Sequence, residues 1–284
     1  MEAKAKTTPA SLPWLEMPSG KQSKRQRRAA RPTPPPVRGK ARPGRASRRV
    51  LLSAAVVIVL AAIGVTLGFA FTGGSSKAAV PVRGSLVNAL PGAADAQRLL
   101  QGIPQRGNVL GSPSAPVTLV EYVDLQCPYC QQLETQAMPA LIGHYVRTGK
   151  VKIELRSLAS IGADSQRGRA AAIAAGEQNK LFNFAQILYL NQGSENSGWL
   201  NDQMITSAAA SIPGFDVSRL LAGSSSDAVM ARAGTFDRQA GADRVRSTPT
   251  ILVGKSGGAL RPVALRSPSD EQSVASAISA ALHS

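Results

Sequence analysis

The sequence predicts an α/β domain interrupted by a helical subdomain, preceded by one transmembrane helix and a disordered basic tail. Three observations predict the domain. Residues 117–123 (V-T-L-V-E-Y-V) are a largely apolar, β-branched run, as expected of a strand buried on both faces, and they lead into C-P-Y-C at 127–130. Beyond the cysteines, Leu133, Ala137, Leu141 and Tyr145 recur at i+4 along one helix face until Gly149 ends it. Val151, Ile153 and Leu155 then alternate with Lys152, Glu154 and Arg156, which reads as a second strand. Strand, helix, strand in this order implies a right-handed crossover and parallel pairing.

The amino-terminal part has a different character. Residues 1–49 hold 14 Lys and Arg against Glu2 and Glu16, a net +12 that leaves only +4 of the chain's +16 for everything else. The tail is rich in Pro, Arg, Lys and Ala. Few large apolar side chains are available to offset the entropy of ordering it, so it is expected to be disordered. Because the excess charge belongs to the tail, a basic nucleic-acid-binding domain is not implied.

Residues 50–71 carry no charge. At 1.5 Å per residue they would span roughly 33 Å as a helix, enough for a bilayer core. Arg48 and Arg49 abut the start, so the positive-inside rule places the amino terminus in the cytoplasm and all that follows residue 71 outside. The competing reading is a cleaved signal peptide. Its apolar region would be shorter and its basic region briefer, so the segment is read as a signal anchor. Residues 72–106 begin Gly-Gly-Ser-Ser after Thr72 and are expected to be an extracytoplasmic linker or stalk, with a short helical piece at 93–102 that either docks or stands free.

From residue 107 to 284 the pattern is that of the folded domain. A long Ala-rich helical region, about 165–241, carries the apolar stripe Leu181, Phe182, Ala185, Leu188 and Tyr189, and Gly193, Pro213 and Gly214 are expected to divide it. Such a stripe is core before it is a ligand box. Residues 250–253 and 259–265 look like an antiparallel hairpin around Lys255-Ser256-Gly257-Gly258. Ser267-Pro268 is expected to open a last helix with Val274, Ile278 and Leu282 on one face.

Cys127 and Cys130 are the only cysteines, so the chain is not a disulfide scaffold. A zinc site needs four ligands, and only His144 and His283 could join the two thiols. No metal or cofactor is called for, and the spacing points to a redox-active dithiol. Cys127 lies where a helix begins, with Pro128 tolerated in the first turn, and unpaired N–H groups there favour a thiolate. Cys130, one turn on, is expected to be more covered and to resolve the mixed disulfide.

Three patches, E-Y-V-D-L-Q-C-P-Y-C at 121–130, N-Q-G-S-E-N-S-G-W at 191–199 and S-T-P-T-I-L-V-G at 247–254, together with the element order, resemble the DsbA-like branch of the thioredoxin superfamily, in its membrane-anchored, actinobacterial-type form. The resemblance covers residues 107–284 and implies a thioredoxin fold with an inserted helical subdomain. It implies that Thr248-Pro249 is the cis-proline step facing the cysteines, whose backbone can pair with an extended substrate. With Pro128 and Tyr129 that step would form the substrate-binding surface. It further implies that Glu121, inside the apolar strand, is a buried acid able to relay a proton to or from Cys130, although a strand glutamate reaching solvent reads equally well. Asp124 is expected in the turn, and Asn191, Gln192, Glu195, Asn196 and Trp199 beside the site or in capping and packing roles. Where DsbA-like oxidases often carry His before the second cysteine, this chain has Tyr129, so no imidazolium assists Cys127.

The expected activity is oxidation of dithiols in exported proteins, followed by reoxidation by a membrane quinone-linked partner of the DsbB or vitamin K epoxide reductase type. The same two cysteines would serve a reductase or isomerase. A reading of another class makes the basic tail the working part, binding anionic lipid or nucleic acid; nucleic acid is not expected as a partner of the domain.

Overall fold

The computed structural model describes residues 81–284. The basic tail, the proposed span at 50–71 and the start of the linker lie outside the described residues. Among the described residues no helix is long and apolar enough to cross a membrane.

The fold is built around one strand. β1 (Gln105–Arg106), β2 (Val109–Leu110), β3 (Val117–Asp124), β4 (Val151–Leu158), β5 (Thr250–Lys255) and β6 (Arg261–Pro262) form a single sheet in the order β1-β2-β4-β3-β5-β6. β3 and β4 pair in parallel from Val117 opposite Val151 to Asp124 opposite Leu158, while β5 runs antiparallel on the other side of β3. All eight residues of β3 are buried, which its continuous apolar run requires. β4 alternates buried and half-buried positions, as its period-two pattern demands. The hairpin reaches less far than the sequence indicates, since β6 holds only two residues. Pro262 has no N–H to donate, and such residues are confined to sheet edges.

The helix after the cysteines is not uniform. α2 (Pro128–Gln132) continues through a π turn at Leu133–Ala137, α3 (Met138–Leu141) and a second π turn at Ile142–Val146. Met138 N donates to the carbonyl of Leu133, five residues back, just before Pro139, which lacks an N–H and crowds the preceding turn. The wider turns also explain the strict i+4 row. On a pure α-helix that row drifts around the axis, and each π turn moves it back, so Leu133, Ala137 and Leu141 are all buried.

α1 (Ala93–Leu100) is docked, with Ala93, Ala96 and Leu100 inside the core. Upstream of it, Gly84 N donates to Phe215 O at 2.9 Å and Ser85 N to Ala210 O at 2.8 Å. The folded unit therefore begins well before residue 107, because these segments have their hydrogen bonds and apolar contacts within it. The helical subdomain comprises α4 (Ala163–Gly176), α5 (Leu181–Leu190), α6 (Asp202–Ala210), α7 (Val217–Gly223) and α8 (Asp227–Ala242). Asn201, Asp216 and Ser226 cap α6, α7 and α8 by accepting from backbone N–H groups three residues on. α9 (Glu271–His283) begins later than Ser267-Pro268 because Asp270 is its cap, accepting from Ser273 N at 3.1 Å while its carboxylate also clamps Arg266.

Val274 and Ile278 of α9 join the main core with Leu119 and Val123 of β3, and Glu121 points to the same face by alternation. On the opposite face Val120, Tyr122, Leu252 and Ala240 form a second, small cluster under α8.

Candidate active site

Three chain crossings meet at the end of β3. The strand closes on Asp124, whose carboxylate is buried and accepts from Gln126 N (2.9 Å), Ser160 N (2.8 Å), Ile161 N (3.2 Å) and the hydroxyls of Ser160 and Ser165. Asp124 belongs to the strand end, not to a turn. Its carbonyl accepts from Cys127 N at 3.0 Å, which sets the cysteine at the mouth of α2 as its N-cap. Pro128 occupies the first helical position, where no N–H is needed. The second crossing is Thr248–Pro249, whose peptide bond is cis. It brings the Thr248 carbonyl to 3.5 Å from the sulfur of Cys127. The third is the loop after α5. Gln192 Nε2 donates to the carbonyls of Leu125 (2.8 Å) and Cys127 (3.2 Å), and Asn196 N donates to Gln126 Oε1 at 2.8 Å.

The two thiols are free and electrostatically unlike. Hydrogen bonding from the Cys130 thiol lowers the Cys127 thiol from about 9 to about 6, against the penalty of burial. The Thr248 side chain and the backbone N–H groups of Cys130 and Tyr129 act in the same direction. Cys130 is fully buried, and burial together with the neighbouring Cys127 pushes it well above the usual thiol range. At neutral pH the pair is a nucleophilic thiolate backed by a protonated thiol. Tyr129, 57% exposed, is the apolar surface beside them.

Glu121 is fully buried, and neither of its oxygens has a hydrogen-bond partner among the described residues. The reading in which it reaches solvent is therefore excluded. Its neighbour is Glu134, also buried, which the sequence reading did not identify as a site residue. Burial, reinforced by the charge of Glu134, holds Glu121 well above the carboxylate range, and burial lifts Glu134 to about 7. Burial and the closeness of two like charges therefore favour the protonated form of both acids. Tyr189 stands among Cys130, Glu134 and Glu121, and its hydroxyl donates to the Asp124 carbonyl at 3.3 Å. The i+7 spacing of Glu134 from Cys127 along a helix was visible in the sequence. Its burial was not, because a helix glutamate is solvent-facing by default.

This pair has a testable cost. An acid whose folded value is raised stabilises the fold below its unfolded value and loses that contribution as pH rises. Glu134, moving from 4.5 to about 7, should remove about 3 kcal/mol between pH 4.5 and 7. Urea midpoints are expected to fall between pH 5 and pH 8 in the native protein. Glu121→Gln combined with Glu134→Gln should flatten that dependence; an equally steep profile in the double variant would refute the assignment.

A family model described as thioredoxin matches residues 105–259. The chain belongs to the thioredoxin family. It is similar to a probable disulfide bond formation protein D of Bacillus cereus, 28% identical over 147 residues that make up 51% of this chain and 68% of that one. The disulfide bond formation protein D of Bacillus subtilis is 28% identical over 108 residues, covering 36% of this chain and 47% of that protein. Among solved structures, oxidised BdbD of Bacillus subtilis superimposes with a TM-score of 0.55 at 19% identity, over 64% of this chain and 98% of that one. This thioredoxin-family protein is a thiol–disulfide oxidoreductase that carries the C-x-x-C pair Cys127–Cys130.

The thioredoxin-like architecture assembles several of the residues expected beside the cysteines and sets others apart. Thr248, Pro249, Pro128 and Tyr129 adjoin the sulfurs, and Gln192 and Asn196 brace the strand-to-helix junction. Asn191 instead binds Pro91 O and Ile187 O, so it ties α5 to the upstream segment. Trp199 packs over Gly193. Gln126 was not foreseen; its side chain bridges Ser165 and the 196 loop.

Proposed function

We propose that the protein is a membrane-anchored, extracytoplasmic oxidase of dithiols in exported proteins. The observation that carries the direction is the stabilised Cys127 thiolate beside a buried Cys130. Whatever stabilises the reduced pair makes its disulfide easier to reduce, hence a better oxidant. A substrate thiolate attacks the Cys127 sulfur of the oxidised pair, and the bond to Cys130 breaks. Cys130 departs as the leaving sulfur and takes up a proton, which its raised affinity favours. The buried Glu121–Glu134 pair lies with Tyr189 in the same core as Cys130, and its proposed role is proton relay to that thiol. A second substrate thiolate then attacks the mixed disulfide at the substrate sulfur and releases Cys127. The substrate loses two electrons, and the Cys127–Cys130 pair gains them.

The reduced pair must pass those electrons on. The partner proposed is a membrane quinone-linked protein of the DsbB or vitamin K epoxide reductase type. The anchor at 50–71 and its flanking arginines support the placement outside the membrane.

The deciding measurement is the reduction potential of the pair against a glutathione series. Cys127 at about 6 lies between the thiols of thioredoxin and of DsbA. The potential is therefore expected near or above about −180 mV. A value near roughly −270 mV would reverse the direction and make the protein a reductase.

A further inference from the structure

We propose that residues 244–248 form a cationic docking lip, on which Arg244 and Arg246 select substrates with acidic residues beside the reactive cysteine. This deepens the oxidoreductase reading and rests on it.

The lip ends at Thr248, whose carbonyl is 3.5 Å from the Cys127 sulfur. Arg246 is two residues upstream, so its Cα lies at most about 7.6 Å from that of Thr248. A substrate strand that pairs with the Thr248 backbone would run alongside this segment. Both arginines are exposed, and neither pairs with a carboxylate among the described residues. The adjoining acid, Asp243, is already engaged. Its carboxylate accepts from the Tyr122 hydroxyl (2.5 Å) and from Arg156 (3.2 Å), and Arg156 in turn lies over the Tyr122 ring. Among the described residues the outward charge of the lip is therefore two cations with no counterion.

The backbone adds an independent observation. Arg244 has φ 55°, and it closes α8 as Arg244 N donates to Gly241 O (3.2 Å) and Val245 N to Ala240 O (2.9 Å). Glycine is the usual residue at this left-handed position after a helix. An arginine there places a charge where the backbone alone would favour no side chain.

Across the cysteine, the 192–198 loop presents one exposed acid, Glu195, and Tyr129 lies exposed beside Cys127. The charge over the lip is thus opposite to the charge on the far side. Charges within about 10 Å of a passing peptide act through moderate salt, chiefly on the association rate.

The test uses the full-length protein, oxidised with oxidised glutathione, and two synthetic dithiol peptides that differ only in Asp or Lys flanking the cysteines. The readout is the ratio of their single-turnover oxidation rates, taken within each protein so that overall activity cancels. The native protein is expected to favour the Asp peptide by about tenfold at low salt, with the preference shrinking as salt rises. Arg244→Glu with Arg246→Glu should reduce that ratio at least threefold. Because the amino-terminal basic tail is the same in both proteins, the difference reports the lip. Arg244→Gly with Arg246→Gln, which suits the left-handed position, should give an intermediate ratio and serves if the charge reversal does not fold. A native ratio near one, or the same ratio in every variant, overturns the lip while leaving the oxidoreductase reading intact. Oxidation of neither peptide by the native protein would overturn both.

Discussion

Replacing Cys130 with alanine is expected to turn the protein into a covalent trap. Cys127 would still attack a disulfide, but no buried thiol would be there to displace the captured partner, so a mixed disulfide should persist. Cys127→Ala should form no adduct, because Cys130 is fully buried and holds its proton. Dithiol oxidation should fall to the uncatalysed rate in both. The same substitution reports on electrostatics. The hydrogen bond from Cys130 is the largest influence lowering Cys127. A hydrogen bond to a charged group is worth about 1.5–3 kcal/mol, so its loss should raise the Cys127 value by about 1–2 units. Alkylation by iodoacetamide against pH measures this, with a native midpoint near 6. An unchanged midpoint in Cys130→Ala would show that the helix terminus, not the second thiol, holds the thiolate. Failure of Cys130→Ala to accumulate any adduct would remove Cys127 as the attacking sulfur.

The second large effect concerns stability. Asp124→Ala should cost about 3–5 kcal/mol, since it leaves the buried N–H of Gln126 and the part-buried N–H groups of Ser160 and Ile161 without their acceptor, together with the hydroxyls of Ser160 and Ser165. Domains typically hold only about 5–15 kcal/mol in total, so this is a large share. For a folded unit of this size the melting temperature should fall by roughly 6–20 °C. Asp124→Asn keeps the shape but replaces one acceptor by a donor, and should recover part of the loss. Urea unfolding of the three proteins checks the order. A loss below about 1 kcal/mol in the alanine variant would mean that water replaces the carboxylate, and the rigid strand-to-helix junction argued for Cys127 would not stand.

Much of this site was legible in the sequence because its positions are local. A β-branched apolar run entering C-P-Y-C fixes a buried strand, a helix start and a thiol at that start, all within 14 residues. The period-two pattern of residues 151–155 likewise needs only nearest neighbours. The ends of elements were less legible. Asp270 displaced Ser267-Pro268 as a helix cap, and the strand expected at 259–265 shrank to two residues at a proline-bearing edge.

What the sequence by itself determined was the pair of thiols, the helix start that carries the first of them and the strand–helix–strand frame around them. Only the tertiary structure decided which distant groups surround them. Glu134 becomes a neighbour of Glu121 because α2 and its π turns lay a helix face against the inner face of β3, and two carboxyls 13 positions apart along the chain then share one dry space. Thr248 reaches Cys127 because β5 runs antiparallel to β3 and begins where β3 ends. Among the described residues Arg244 and Arg246 stand without counterions, since Arg156 and Tyr122 hold Asp243. These contacts join residues from 13 to more than a hundred positions apart. A local pattern carries propensity and period, but not which charge meets which.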